Sequence, residues 1–196
     1  EIEYAVSKNI LLINAESKSE ILEIEKVAKR KKKTVNIGIR LNPNTDAKTI
    51  SQISTGKKEN KFGVNQKVLL QLVNYLKNSK YLNLNCLSVH IGSQILNHKP
   101  YQKMLRSIDK TLKKTNHNFE YIDLGGGMGI DYTHKNTKLD LKKYSRDIQK
   151  FLKRNNSKII FEPGRSIIGN SAVLVTKILY IKEGYKKDFV ILDAAM

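Results

Sequence analysis

The sequence predicts an α/β fold in which strands and helices alternate and the strands run parallel. Three short apolar runs end in polar or glycine residues, at residues 88–94, 121–127 and 161–165. An apolar run of this length is typical of a buried strand, and its polar end is typical of a loop that carries chemistry. Helical segments separate the runs, and this repetition predicts a barrel whose strand ends converge on one site.

The first predicted elements are a strand, a helix and a second strand. Residues 10–14 read as a short buried strand, and Ser17 with Glu20 three positions later forms a capping box that opens a helix. The inner stripe of this helix consists of Ile21, Ile24, Val27 and Ala28. Residues 35–41 form the next strand, which ends at Asn42-Pro43 because the residue before proline avoids the helical region. The polar loop over residues 44–63 is long enough to be functional or disordered.

The same alternation continues as far as residue 161. Helical spacing is found in three sets of apolar residues: Val68, Leu69, Leu72, Val73 and Leu76; Tyr101, Met104, Leu105, Ile108 and Leu112, after Pro100 in the first turn; and Leu141, Tyr144, Ile148, Phe151 and Leu152. Predicted strands cover residues 84–91, 121–124 and 158–161. After Gly169 the pattern changes to two extended segments, 172–181 and 189–192, joined by a turn at Glu183-Gly184. We therefore predict a partial barrel over residues 1–169 and the first strands of a C-terminal β domain over residues 170–196.

Composition indicates a globular protein of the reducing cytoplasm. The chain has 196 residues, 40% of them hydrophobic, and no apolar run approaches the roughly 20 residues that span a bilayer. Its start has no signal-peptide pattern, and its single cysteine, Cys86, lies in an apolar run as a small core residue. Because the chain begins without methionine and stops inside the apolar run 189–196, we expect it to be part of something longer.

The formal net charge of +18 raises the possibility of a nucleic-acid-binding domain. The lysines are dispersed, however, and the one basic run, residues 30–33, lies at a predicted helix end, where the helix dipole favours cations. No RNP, zinc-finger or helix-turn-helix pattern is present in the sequence. We interpret the charge as a solvated surface, with no specific nucleic-acid partner and no membrane contact.

Four candidate site features have both a functional and an ordinary structural interpretation. The glycines of residues 125–129 allow backbone N–H groups to approach a phosphate, yet a tight turn explains them equally well, since their spacing is not the dinucleotide fingerprint. His90 at a strand end is either a satisfied core residue or a flat ring that stacks on an aromatic cofactor. Glu162 and Arg165 flank Pro163-Gly164, and this arrangement is either an ordinary turn with an ion pair or a site where the Glu162 carboxylate pairs with a protonated ring nitrogen.

Two charged residues inside apolar strands need partners. Arg40 is costly to bury unless it is paired, so we expect it to face inward and hold a polar network, and the same reasoning applies to Asp123. No zinc pattern, G-x-S-x-G elbow or P-loop is present in the sequence, and no metal is predicted.

Taken together, these residues resemble the alanine-racemase-type (fold type III) pyridoxal-phosphate-dependent decarboxylases, and within them the diaminopimelate decarboxylase branch. The resemblance covers the whole chain. It is carried by residues 13–17, 39–43, 60–63, 90–94, 123–129, 162–165 and 193–196 in that order. Gln94 after Ser93, and Met128-Gly129-Ile130 after the glycines, resemble the diaminopimelate branch more than the ornithine or arginine branches.

The resemblance implies a role for each site residue. His90 would stack on the pyridine ring of pyridoxal 5'-phosphate, and Glu162 would bond its ring nitrogen. The phosphate would be held by Ser93, Gly127 and the Gly164-Arg165 backbone, within a cofactor site formed by His90, Ser93, Gly125, Gly126, Gly127, Glu162, Pro163, Gly164 and Arg165. The Arg165 side chain would grip a substrate carboxylate, and Lys61 would lie near the interface of a homodimer.

The sequence departs from the family pattern at the Schiff-base lysine. Residues 4–9 look like the family's lysine motif, but the strand at residues 10–14 follows at once, where the family has two further strands. We therefore interpret Lys8 as a surface residue at a helix end. By this alignment the chain holds barrel strands four to eight and lacks the lysine, and we expect it to be inactive alone.

The resemblance implies decarboxylation of meso-2,6-diaminopimelate, a small amino acid, to L-lysine and CO2 in lysine biosynthesis. Three alternatives stay open at this point. The first is a sister enzyme that acts on ornithine, arginine or carboxynorspermidine. The second is a non-enzymatic remnant or regulator of the same fold, and the third is a basic nucleic-acid-binding domain.

Overall fold

A computed structural model describes residues 1–47, 55–56, 61–133, 135 and 137–194. It confirms the predicted α/β class. In chain order the elements are α1 (Ile2–Ser7), β1 (Ile13–Ala15), α2 (Lys18–Lys31), β2 (Val35–Arg40), α3 (Gln66–Leu76), β3 (Leu82–Ser88), α4 (Lys99–Thr115), β4 (Tyr121–Asp123), α5 (Leu141–Leu152), β5 (Lys158–Ile160), α6 (Arg165–Ile168), β6 (Ile178–Lys182) and β7 (Phe189–Leu192).

The first five strands form one parallel sheet in the order β1-β2-β3-β4-β5. The sheet is strongly curved. Asn14 on β1 donates a hydrogen bond from Nδ2 to Asp123 Oδ2 on β4 at 2.8 Å, although β2 and β3 lie between these strands. Neighbouring strands are about 4.8 Å apart, so a flat sheet would hold β1 and β4 roughly 14 Å apart. The strands therefore curl around an interior, as in part of a barrel.

Capping residues and a proline mark where the helices that flank the sheet begin. Ser17 caps α2 by accepting a hydrogen bond from the Glu20 N–H at 3.1 Å, and the Glu20 carboxylate accepts from the Glu16 N–H at 2.7 Å. Pro100 lies in the first turn of α4, as predicted. The inner faces of α2, α3, α4 and α5 are buried, so these helices pack on the outer face of the sheet.

Several strands and helices have bounds in the structure that differ from those predicted from the sequence. The first strand begins at Ile13, because the Leu11 carbonyl accepts from the Asn36 side chain at 3.2 Å and residues 10–12 lie outside the β1–β2 ladder. The predicted strand over residues 84–91 is β3, which covers Leu82–Ser88. Leu141 was expected to be buried but opens α5 with 60% of its surface exposed. The one-turn helix α6 was not predicted.

The chain after residue 169 forms a separate antiparallel pair, β6 and β7. Of the predicted extended segment 172–181, only Ile178 onward is paired as a strand. All five residues of β6 are exposed, including Leu179 and Tyr180.

Cys86 is fully buried on β3. Burial, followed by the negative charge of Asp123, raises the pKa of its thiol to about 12. At pH 8 the reactive thiolate is then on the order of one molecule in ten thousand. We expect Cys86 to resist a disulfide reagent at pH 8 in the folded protein and to react at once in denaturant. Rapid stoichiometric labelling of the native protein would contradict this placement.

Candidate active site at the carboxyl ends of the strands

The inner face of the curved sheet carries polar side chains at matching heights on neighbouring strands. The register pairs Arg40 with Ser88 and Ser88 with Asp123. Side chains alternate between the two faces of a strand, so His90 and Glu162 continue this face beyond the ends of β3 and β5. The structure thus gathers residues from distant motifs at the carboxyl end of the sheet.

Hydrogen bonds directly join the loops that carry His90, the glycine run of residues 125–127, and Glu162. The Gly126 N–H donates to His90 Nδ1 at 3.2 Å. The Glu162 N–H donates to the Gly125 carbonyl at 2.9 Å, and the Ile95 N–H donates to the Gly127 carbonyl at the same distance. The histidine, the glycine run and the glutamate therefore lie side by side.

The glycine run is packed backbone against backbone. A Cβ added to Gly126 would lie 2.1 Å from the Glu162 carbonyl oxygen. Gly127 has a φ of +84°, and a Cβ there would lie 2.1 Å from the Gly92 carbonyl oxygen. Gly164, in contrast, has no atom within 4 Å of an added Cβ, so the cradle is open on that side.

His90 is half-buried and neutral at pH 7. Burial, followed by the nearby positive charge of Arg40, lowers the pKa of its imidazole, while Asp123 and Glu16 oppose the shift. Because the Gly126 N–H donates to Nδ1, that nitrogen is the acceptor and the proton of the neutral ring lies on Nε2.

Asp123 and Glu162 form a pair of neighbouring carboxyl groups. Asp123 is 1% exposed and accepts hydrogen bonds from Asn14, from Ser88 Oγ at 3.2 Å and from the Gly125 N–H at 2.8 Å. Glu162 is exposed at the opening. Partial desolvation of its carboxyl group nevertheless raises its pKa, the charge of Asp123 adds to this rise, and Arg40 opposes it. The pair is therefore a locally negative site that favours a bound cation.

Arg40 points inward from β2 and is paired with Glu16. The second Glu16 oxygen accepts from the Gly63 N–H at 3.1 Å, and the Arg40 guanidinium lies 5.0 Å from the Phe62 ring centroid. This network ties the loop at residues 61–63 to the rim of the site. Lys61 itself is exposed, with Nζ 5.3 Å from the same ring.

Arg165 lies at the start of α6, on the rim. Its Nε donates to Ser93 Oγ at 3.2 Å, and its NH1 donates to the Tyr132 hydroxyl at 2.6 Å. Ser93 is followed by Gln94, which bonds both backbone groups of Ile130. These contacts join the loops after β3, β4 and β5 around one opening.

Five residues of this arrangement were not predicted to take part in the site, although Asn14 and Glu16 lie in the family motif at residues 13–17. Two of them, Asn14 and Ser88, lie on the inner sheet face; Glu16 pairs with Arg40; Tyr132 contacts Arg165; and Tyr101 donates to the Gly126 carbonyl at 3.0 Å. Polar residues at period two in apolar strands were a usable signal for the first two.

Two sets of predicted residues lie away from the site or outside the described residues. Lys8 ends α1 and precedes β1, so it lies at the amino end of the strands, opposite His90 and Glu162. From the quoted family motifs, Asn60, Ala195 and Met196 fall outside the described residues. The predicted polar loop over residues 44–63 also lies partly outside them.

The described part of the chain contains no group of three or more histidine, cysteine, aspartate or glutamate side chains placed to hold a metal ion. Within the same residues, no helix has the length and apolar composition to cross a bilayer.

Comparison with known proteins gives a consistent result. The family model for the pyridoxal-binding domain of pyridoxal-dependent decarboxylases matches residues 1–169. Diaminopimelate decarboxylase from Helicobacter pylori is 41% identical over 199 aligned positions, covering all of this chain and 49% of the relative. The enzyme of Neisseria meningitidis serogroup B is 40% identical, covering all of this chain and 48% of the relative.

A crystal structure of the Helicobacter pylori diaminopimelate decarboxylase complexed with L-lysine matches with a TM-score of 0.87 and 40% identity. The match covers 99% of this chain and 49% of that one. The chain thus spans about half the length of the curated relatives it matches.

Proposed function

The chain belongs to the pyridoxal-dependent decarboxylases, and from this premise we propose that its protein decarboxylates meso-2,6-diaminopimelate to L-lysine and CO2. The observation that carries the proposal is the convergence of His90, the glycine run and Glu162 at one end of a curved parallel sheet. The names of the relatives support the substrate, since those at about 40% identity are diaminopimelate decarboxylases.

The residues at this opening fit pyridoxal 5'-phosphate. The glycine run leaves no room for side chains next to Glu162 and Gly92, while the side of Gly164 is open. A flat ring, a carboxyl pair and a hydroxyl group line the same opening. When bound, this cofactor supplies a protonated ring that accepts the electron pair left by loss of CO2.

His90 and Glu162 would orient the cofactor ring. The neutral imidazole of His90 would stack on the ring face without placing a second positive charge beside it. Glu162 would accept a hydrogen bond from the ring nitrogen and hold the proton there, which the neighbouring charge of Asp123 favours.

Residues on the opposite side of the opening would bind anions. The cofactor phosphate would be held by Ser93 Oγ and by backbone N–H groups of Gly127, Gly164 and Arg165, with Gly125, Gly126 and Pro163 shaping the cradle. The Arg165 guanidinium would bind a substrate carboxylate. Its contacts with Ser93 and Tyr132 keep the guanidinium at the opening, ready for bidentate pairing.

We also propose that residues 1–196 do not contain the Schiff-base lysine and are inactive alone. The position of Lys8 at the opposite end of the strands supports this. Residues 170–196 are proposed to belong to a second, β-rich domain, since β6 and β7 pair only with each other among the described residues. A homodimer with Lys61 near its interface, and a cytoplasmic location, stay predictions.

The protein expressed from its complete gene is the material for the test. It is incubated with pyridoxal phosphate and, separately, with meso-2,6-diaminopimelate, ornithine, arginine or carboxynorspermidine. We expect CO2 release with diaminopimelate and at least about 100-fold slower release with the others, because their side chains do not offer the same distal carboxylate and ammonium pair. Residues 1–196 alone serve as the comparison and should give no release.

Other outcomes favour other functions. Faster release from ornithine, arginine or carboxynorspermidine would indicate a sister decarboxylase. Cofactor binding with no release from any substrate would favour a regulator of the same fold. Rapid turnover by residues 1–196 alone would refute the proposed absence of the lysine. Tight binding of duplex DNA at physiological salt would revive the nucleic-acid alternative.

A further inference from the structure

Asp123 is a buried carboxylate, and the three donors that bond it within the described residues are all uncharged. They are the Asn14 amide, the Ser88 hydroxyl and the Gly125 N–H, at 2.8, 3.2 and 2.8 Å. These bonds solvate the carboxylate but do not neutralise it. Oδ1 accepts from Gly125, and Oδ2 accepts from Asn14 and Ser88, so both oxygens act as acceptors and the buried group keeps its charge.

The space above Gly38 lets the Asn14 side chain reach the Asp123 carboxylate. Its amide crosses over Gly38 on β2, where an added Cβ would lie 2.0 Å from Asn14 Oδ1 and 3.0 Å from Cys86 Cβ. A glycine at this position therefore leaves the path open from β1 to β4. The bond ties the two strands together across the barrel interior and fixes the position of Asp123.

The charge on Asp123 acts on Glu162. Gly125 links the two residues, since its N–H donates to Asp123 Oδ1 at 2.8 Å and its carbonyl accepts from the Glu162 N–H at 2.9 Å. Desolvation raises the pKa of Glu162, and the charge of Asp123 raises it further. Arg40, the cation that opposes this effect, is itself paired with Glu16. Two neighbouring carboxylates bind a proton or a cation more strongly than either would alone.

We propose that Asp123 is a positioning residue that acts through Glu162. Its buried negative charge strengthens the hold of Glu162 on a protonated ring nitrogen, and its bond to Gly125 fixes the start of the glycine run. This inference rests on the proposed function, because it takes pyridoxal phosphate as the ligand of the site.

The test compares two cofactors in the apoprotein expressed from its complete gene. The first is pyridoxal phosphate, and the second is its analogue with a C–H group in place of the ring nitrogen. We expect Asp123→Asn to reduce the preference for pyridoxal phosphate over the analogue by about tenfold, a modest part of what Coulomb's law allows for two charges in contact. Affinity for the analogue should change little.

The site can accommodate Asp123→Asn with its hydrogen bonds largely kept. Asn14 Oδ1 is buried without a hydrogen-bond partner, so a flip of the Asn14 amide lets it accept from the side-chain amide that Asp123→Asn introduces. Ser88→Ala is the matched control, because it removes one donor and keeps the charge. The Ser88→Ala variant should retain the wild-type preference.

The outcomes separate this proposal from the proposed function. Equal weakening of both cofactors in Asp123→Asn would assign Asp123 a structural role only and overturn the proposal. If the wild-type protein does not bind pyridoxal phosphate, the proposed function falls, and this inference falls with it.

A second variant covers the case in which Asp123→Asn does not fold. Asp123→Ser also removes the charge, and its hydroxyl oxygen can accept from the Gly125 N–H or from the Asn14 amide. It should show the same loss of preference for pyridoxal phosphate, about tenfold, and equal weakening of both cofactors in this variant would overturn the proposal. This readout does not depend on the activity of the loaded enzyme.

Discussion

Replacing Glu162 with glutamine should lower the rate of decarboxylation by about 10- to 100-fold in the protein expressed from its complete gene. A neutral amide cannot offset the positive charge of a protonated ring nitrogen, and hydrogen bonds to charged groups contribute about 1.5–3 kcal/mol. Each 1.36 kcal/mol of barrier is roughly a tenfold change in rate, so losing this bond in the transition state gives an effect of about that size. Single-turnover CO2 release measures it.

The same variant should be at least as stable to unfolding as wild type at pH 7. The pKa of Glu162 is raised in the fold, mainly by desolvation and then by Asp123. When folding raises the pKa of a carboxyl group, the protein loses stability as the pH rises from the pKa of that group in the unfolded chain to its pKa in the folded protein, because the fold disfavours the ionised form. Glutamine does not ionise, so the apoprotein of Glu162→Gln should unfold at the same urea concentration as wild type at pH 7, or at a higher one.

Glu120→Gln is the matched control. Glu120 precedes β4 and makes an exposed ion pair with Lys158 at 3.0 Å, at the other end of the strands. Exposed pairs contribute about 0–1 kcal/mol, so neither rate nor stability should change much. Turnover at the wild-type rate in Glu162→Gln would contradict the role proposed for the Glu162 carboxylate.

Gly126→Ala should destabilise the protein by about 1–3 kcal/mol, as over-packing of a tight interior does. The new Cβ would lie 2.1 Å from the Glu162 carbonyl oxygen. Neither backbone can move freely, because Glu162 is bonded to Gly125, and Gly126 is held by His90 and by the Tyr101 hydroxyl. A shift of the glycine run by about 1 Å should also cost on the order of 100-fold in rate.

Gly164→Ala is the control for stability at the same opening. Gly164 has a negative φ of −83°, outside the left-handed region, and nothing lies within 4 Å of an added Cβ. Its free energy of unfolding should stay within about 0.5 kcal/mol of wild type. Urea denaturation of the two variants gives the comparison, and equal stabilities would contradict the packing described for Gly126.

The convergence of the site could be predicted from sequence because parallel strands bring their carboxyl ends to one edge. His90, Gly125 and Glu162 each follow an apolar run, so their placement at that edge follows from topology alone. The need of Arg40 and Asp123 for partners followed from the cost of burying a charge. The identities of those partners did not follow, since Glu16 and Asn14 are far from them in the chain.

The sequence by itself determined the α/β class, the family and the order of the motifs, because these depend on local periodicity and on residue types at fixed spacing. The tertiary structure alone decided that Asn14 reaches Asp123 across Gly38, that Gly126 fixes the His90 tautomer, and that Leu141 is exposed. The physical reason is the curvature of the sheet. It brings together side chains that no local pattern relates, and their burial then sets the charges and protons of the site.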